Sequence, residues 1–167
     1  MKIIVFSDSH GDKKSMKLLI ERIKPDTVIH LGDGIDDILA LEKEYPELRF
    51  EYVRGSCDTN EDVPKEKLIT LDGFNFFLTH GDIFDDMTCK ELKMDTEKIF
   101  DYARKSDVSM LLHGHTHVPT LLMDNEIKIL NPGIVKNTPG KNYPTCGLIT
   151  TNKSHLICEI LFAPWLI

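Results

Sequence analysis

An apolar strand, an amphipathic helix, a second apolar strand and a second helix open this chain, and that order restricts the fold more than any other feature. Lys2–Phe6 is a compact β-rich run. Asp12 stands as an N-cap before Met16, Leu19, Ile20 and Ile23, which are apolar at helical spacing, and Pro25 closes the segment. Residues 27–31 form the second strand. Ile35, Ile38, Leu39 and Leu41 mark a second helix that gives way before Pro46. A β-α-β-α start implies parallel strands with right-handed crossovers. Sheets of this kind bind ligands at the carboxyl ends of their strands.

The later half reads differently. Residues 49–53 suggest a third strand, and residues 67–71 and 74–78 are joined by Asp72-Gly73, a strong hairpin signal. Residues 91–102 have helical period, with Leu92, Ile99 and Phe100 apolar, and residues 108–112 form a short buried strand. Hairpins follow at 120–123 with 127–130 and at 147–151 with 155–162, separated by the tight turn Asn131-Pro132-Gly133. Helices early and hairpins late predict an α/β fold: a four-layer αββα sandwich of two mixed β-sheets flanked by helices. With no repeat or linker, the 167 residues are expected to form a single domain.

Five strand ends then carry polar groups: Asp8 with His10, Asp33 between Gly32 and Gly34, Ser56 in the turn at 54–58, His80, and His115 with His117. A strand needs no charge to stop, so their joint occurrence points to chemistry. Imidazole is the commonest nitrogen ligand of divalent transition metals, and carboxylates supply the oxygen donors. Because His115 and His117 are two apart, an extended backbone predicts both rings on one side. Gly114 leaves room for a close backbone approach. Asp8 and His117 are both expected at exposed strand termini.

Composition narrows the remaining classes. A net charge of -7 with no basic stripe argues against bulk binding to nucleic acid or anionic membrane. No apolar run reaches the ~20 residues that span a bilayer. The N-terminus meets Asp8 and His10 too early for a signal peptide, which predicts a cytoplasmic protein. Cys57, Cys89, Cys146 and Cys158 show no Cys-x-x-Cys spacing and are expected as reduced thiols. The uncharged apolar stretch 162–167 suggests a homodimer contact.

The motifs Asp8-Ser9-His10, Gly32-Asp33, Gly55-Ser56-Cys57-Asp58, Thr79-His80-Gly81 and Gly114-His115-Thr116-His117 resemble, in order and spacing, the signature of calcineurin-like metallophosphoesterases. Cys57 and the Asn131-Pro132-Gly133 turn are most similar to the small bacterial and archaeal phosphodiesterases of that family, whose fold the scaffold protein Vps29 shares. The resemblance implies two divalent metal ions, Mn²⁺ first and then Ni²⁺, Zn²⁺, Fe or Mg²⁺. Asp8, His10 and His117 would hold one ion, Asp33 would bridge, and His80, His115 and Ser56 would hold the second. It also implies hydrolysis of a small phosphodiester by attack of a metal-bridging hydroxide, with Asp8, His10, Asp33, Ser56, Cys57, Asp58, His80 and His115 at the catalytic centre. Three departures stand out, one of them Asp82, which follows His80-Gly81 where relatives commonly carry His. Ser56 replaces the family's Asn, a shorter and weaker donor, and Cys57 stands where many members carry a His that serves the leaving group. A scaffold or regulatory binding module on the same fold is the alternative.

Overall fold

Side-chain alternation along β1 (Lys2–Phe6) shows how the layers are built. Ile3 and Val5 enter one apolar layer, while Ile4 and Phe6 enter another on the opposite face. The computed structural model describes residues 1–84, 95–138 and 143–164. On the Ile4/Phe6 side lie α1 (Lys13–Ile23) and α2 (Ile35–Glu44), which bury Met16, Leu19, Ile20, Ile35, Ile38 and Leu41 against the sheet. Asp12 caps α1 as expected, its carboxylate accepting the Ser15 N–H at 3.1 Å. The helix ends at Lys24, left-handed at φ 52°, directly before Pro25.

The first sheet adds β2 (Thr27–His30), β3 (Arg49–Tyr52), β9 (Thr145–Thr151) and β10 (Leu156–Phe162), in the order β10-β9-β1-β2-β3. The strands β1, β2 and β3 run parallel, and β9 returns antiparallel beside β1. The second sheet contains β4 (Glu66–Leu71), β5 (Phe74–Thr79), β6 (Met110–Leu112), β7 (Thr120–Asp124) and β8 (Ile127–Asn131), ordered β4-β5-β6-β8-β7. Its three central strands β5, β6 and β8 are parallel. Asp72 and Gly73 turn the β4–β5 hairpin with φ of 50° and 87°, the left-handed pair that a tight two-residue turn requires.

Between the sheets Ile3, Val5, Ile29 and Leu31 meet Phe76, Leu78, Met110, Leu112 and Leu130. Beyond the second sheet, Ile99 and Ala103 of α3 (Thr96–Lys105) pack on Phe77, Leu111 and Ile129. The four-layer αββα sandwich is therefore present. Its last helix differs from the expected 91–102. Residues 91–94 lie outside the described residues, Asp95 caps the helix by accepting from Lys98 N–H, and the helix runs on through Lys105 because Ala103 is buried on the sheet. At the end of β10, Phe162 is exposed, whereas Ala163 is 1% exposed and its N–H donates to Pro144 O at 2.9 Å, so the apolar stretch opens with one side chain out and the next in. Residues 165–167, the rest of that stretch, lie outside the described residues. No helix among the described residues is long and apolar enough to cross a membrane. Cys57, Cys146 and Cys158 are free thiols, and Cys89 falls outside the described residues.

Candidate metal centre

The parallel strands of both sheets deliver their carboxyl ends to one pole of the sandwich. Past β1 the chain bends through Asp8 (φ 56°) and His10 (φ 42°), and past β2 through Asp33 (φ 57°). These loops lock together: Asp8 N–H donates to Gly32 O and His10 N–H to Asp33 O, both at 3.0 Å. Gly32 (φ 97°) allows this, because a Cβ there would strike the backbone of Gly55 on the third loop.

From the second sheet, His80 follows β5 and the histidine loop follows β6. Gly114 passes so near the first loop that a Cβ would overlap the Ser7 hydroxyl and lie 2.9 Å from Asp8 Oδ2. His115 and His117 are not extended. Their φ angles of 71° and 60° are left-handed, within a turn closed by Thr116 N–H to Gly114 O at 2.9 Å. The two rings therefore diverge instead of sharing a side. His115 Nδ1 lies 3.2 Å from His80 Nε2, whereas His117 Nε2 lies 3.5 Å from His10 Nε2 and 3.2 Å from Asp8 Oδ1.

The cluster has a buried floor and a wet rim. Asp8, against expectation, is fully buried, since the Ser7–Gly114 crossing covers it. Asp8, Asp33 and His80 have side chains 0, 5 and 1% exposed, while those of His10 and His117 are 26 and 45% exposed. Asp8 Oδ2 accepts from Ser7 Oγ (2.6 Å) and His115 N–H (3.1 Å). Its other oxygen, Oδ1, is buried without a hydrogen bond. Asp33 Oδ1 accepts the Cys57 N–H at 2.8 Å, and Oδ2 faces His80 Nε2 at 3.5 Å and His10 Nε2 at 4.0 Å. His80 Nδ1 lies 2.8 Å from Leu31 O, which makes it the donor and leaves Nε2 as the lone-pair atom aimed into the cluster.

These neighbours set the charge states. Burial pushes Asp33 up, but the facing His80 ring and the Cys57 N–H prevail and hold it well below the usual carboxylate range. Burial likewise opposes ionisation of Asp8, and the facing His117 and Ser7 outweigh it. Burial lowers His80, but Asp33 and Asp8 reverse the balance and raise it, and Asp8 raises His117. Ring nitrogens packed against each other and against carboxylates need something positive between them. Among the described residues, three trios have ligand atoms mutually within 4.8 Å: Asp8–His10–His117, Asp8–Asp33–His80 and His10–Asp33–Cys57. With Asp8 Oδ1, which accepts no hydrogen bond, this donor set fits divalent cations.

Three sequence-derived residues sit apart from the cluster's chemistry or at its edge. Ser56 and Cys57 are exposed on the third loop. Asp58 is committed elsewhere. Its Oδ2 accepts the N–H groups of Asp33 (2.7 Å) and Gly55 (2.8 Å), and Oδ1 those of Gly34 and Ile35 (both 3.0 Å). It thus clamps the second loop to the third and caps α2, which leaves neither oxygen free for proton transfer.

Sequence reasoning missed the residues that hold the loops. Asp37, in the first turn of α2, accepts from Ser9 Oγ (2.7 Å) and Gly11 N–H (2.8 Å). Asn131 is fully buried, and its amide donates to Gly114 O (2.8 Å) and Thr116 Oγ1 (3.0 Å) while accepting from Gly133 N–H (2.9 Å). A strand-terminal Asn before Pro-Gly was the available signal, and it reads as a turn alone. His113, the first imidazole after β6, is buried and pushed down to about 4 by burial, outside the cluster.

Comparison with known proteins agrees with this geometry. The family model for the calcineurin-like phosphoesterase superfamily domain matches residues 1–154. Phosphodiesterase MJ0936 of Methanocaldococcus jannaschii is 25% identical over 173 residues, covering 92% of this chain and 95% of that protein. A predicted phosphoesterase from Streptococcus pneumoniae superposes with a TM-score of 0.74 at 26% identity, covering 96% of this chain and 88% of that one. Vps29 of Entamoeba histolytica, solved with zinc, superposes at 0.71 with 21% identity over 97% of this chain and 99% of its own, a likeness of fold.

Proposed function

The chain belongs to the calcineurin-like phosphoesterase superfamily, and on that premise we propose that it hydrolyses small phosphodiesters at a dinuclear metal centre. Asp8, His10 and His117 would hold one ion and His80 and His115 the other, with Asp33 between them. Two divalent ions supply charge neutralisation at phosphorus and an activated water for in-line attack. The chain's own residues do the rest. The Asp8 and Asp33 carboxylates, kept ionised by His117, Ser7, His80 and the Cys57 N–H, are ready to receive cations without losing a proton. The Leu31 carbonyl fixes the His80 tautomer and ring. His10 and His117, on the exposed rim, flank the side from which an anionic ester enters.

The observation that carries this reading is the buried Asp8 Oδ1, which accepts no hydrogen bond and faces two imidazole Nε2 atoms at 3.2 and 3.8 Å. A chain using this surface only as a protein scaffold has no need to desolvate a carboxylate there. The test is hydrolysis of an aryl phosphodiester by chelator-treated protein with Mn²⁺ restored stepwise. Rate should appear with metal content. A protein that takes up stoichiometric metal and still leaves the diester intact is a scaffold.

A further inference from the structure

We propose that Cys57 is itself a metal ligand: its thiolate joins His10 and Asp33 on the exposed face of the centre and replaces the oxygen that Ser56 does not provide. The inference rests on the metal-dependent reading above and deepens it by naming which metals the centre takes.

The three donor atoms, Cys57 Sγ, a His10 ring nitrogen and an Asp33 carboxylate oxygen, lie mutually within 4.8 Å. The sulfur is placed there by backbone. Cys57 N–H donates to Asp33 Oδ1 at 2.8 Å, and Asp58 grips Gly55 and Asp33 together, so the turn carrying Cys57 is tied to the carboxylate it would share an ion with. A cysteine alone would mean little. Here a second carboxylate, the fully buried Asp8 whose Oδ1 accepts no hydrogen bond, stands 3.8 Å from the same His10 Nε2. Ser56 is exposed on the same turn, beside the cysteine whose sulfur reaches His10 and Asp33. The Cys57 sulfur lies within 4.8 Å of an Asp33 carboxylate oxygen, close enough for one cation to contact both.

Binding exchanges a proton for a cation: the Cys57 S–H bond breaks, the proton leaves to solvent, and the sulfur lone pair binds the divalent ion. Nothing is oxidised or reduced. A sulfur donor favours soft and borderline ions, so Zn²⁺ and Co²⁺ gain over Mn²⁺ and Mg²⁺ at this centre. A sulfur bound to metal also cannot act as the acid that protonates a leaving group.

The experiment is the absorption spectrum of the protein loaded with Co²⁺ alone. Visible d–d bands report cobalt in the centre. A near-ultraviolet sulfur-to-cobalt charge-transfer band, present in the parent and absent in Cys57→Ser, establishes the ligand, because the other cysteines are common to both. In parallel, competition between Zn²⁺ and Mn²⁺ should shift toward Mn²⁺ by about tenfold in Cys57→Ser. Visible bands without the charge-transfer band overturn the role of Cys57 and leave the metal centre standing. Absence of all cobalt bands overturns both. Circular dichroism of the variant verifies the fold, which a sulfur-to-oxygen change on an exposed loop leaves intact.

Discussion

The floor and the rim of the metal cluster differ in how firmly the fold holds them. Asp8, Asp33 and His80 are buried, and each is anchored from within, by Ser7 and His115 N–H, by Cys57 N–H, and by Leu31 O. His10 and His117 lean on one another edge to face, and Cys57 projects from an exposed turn. A buried ligand is set before metal arrives, so its loss is felt in both fold and chemistry. A rim ligand can adjust, so its loss should weaken binding and little else.

Deleting the carboxylate proposed to be shared tests this contrast most harshly. Asp33→Ala should lower the diesterase rate by on the order of 10³-fold, with no rescue by excess metal, because in the proposed centre the carboxylate would neutralise both cations. His117→Ala should cost roughly 10–100-fold in metal affinity, with rate recovering as Mn²⁺ is raised. Metal titrations of both variants measure it, and equal, unrecoverable losses would erase the distinction.

Thermal denaturation of metal-free protein gives the next effect. His80→Ala removes a buried ring bonded to Leu31 O and should cost about 2–4 kcal/mol. His117→Ala should stay within about 0.5 kcal/mol of the parent. If the two melt together, the floor is no more structural than the rim.

Acid separates the floor from the core beneath it. Burial pushes His30 and His113 down to about 4, so the native state keeps them neutral while the unfolded chain protonates near 6.5. Their stabilisation is full above that value and falls as pH drops toward 4, by roughly 1 kcal/mol each at pH 5.5. His80 and His117 are raised in the metal-free protein and run the other way, contributing at low pH and losing that contribution as pH rises through their folded values. Denaturant midpoints from pH 7 to 5 should fall more steeply for metal-loaded protein, in which bound ions cancel the second contribution. Identical slopes with and without metal would remove these two rings from the centre.

The smallest effect belongs to Ser56→Asn. An amide oxygen in place of the hydroxyl should raise Mn²⁺ affinity by about tenfold at most, read as occupancy at limiting metal. No gain would mean that position 56 is not a ligand position.

Much of the centre was legible because strand ends are legible: an apolar run that stops at Asp8, Asp33 or His80 announces where the side chain emerges. The layers followed from the same signal, since the continuous apolar run of β1 and the helical period of α1 need only local sequence. What was not legible was backbone reversal. His115 and His117 suggested an extended pair, and only the crossing at Gly114 and Ser7, 107 positions apart in sequence, bends them apart. Asp37 and Asn131 escaped for a related reason. Their partners lie 28 and 17 residues away, and a carboxylate in a first helical turn already has a sufficient local explanation.

Asp8, His10, Asp33, His115 and His117 all occupy the left-handed region of backbone space. Each carries a torsional cost, of order 1 kcal/mol, that glycine would not incur. On backbone grounds alone, mutation to glycine at any of the five would relax the chain while emptying the site. The centre is therefore a place where random drift and use pull in opposite directions, and a lineage that stopped using the metal would have a ready route to shed these side chains one at a time.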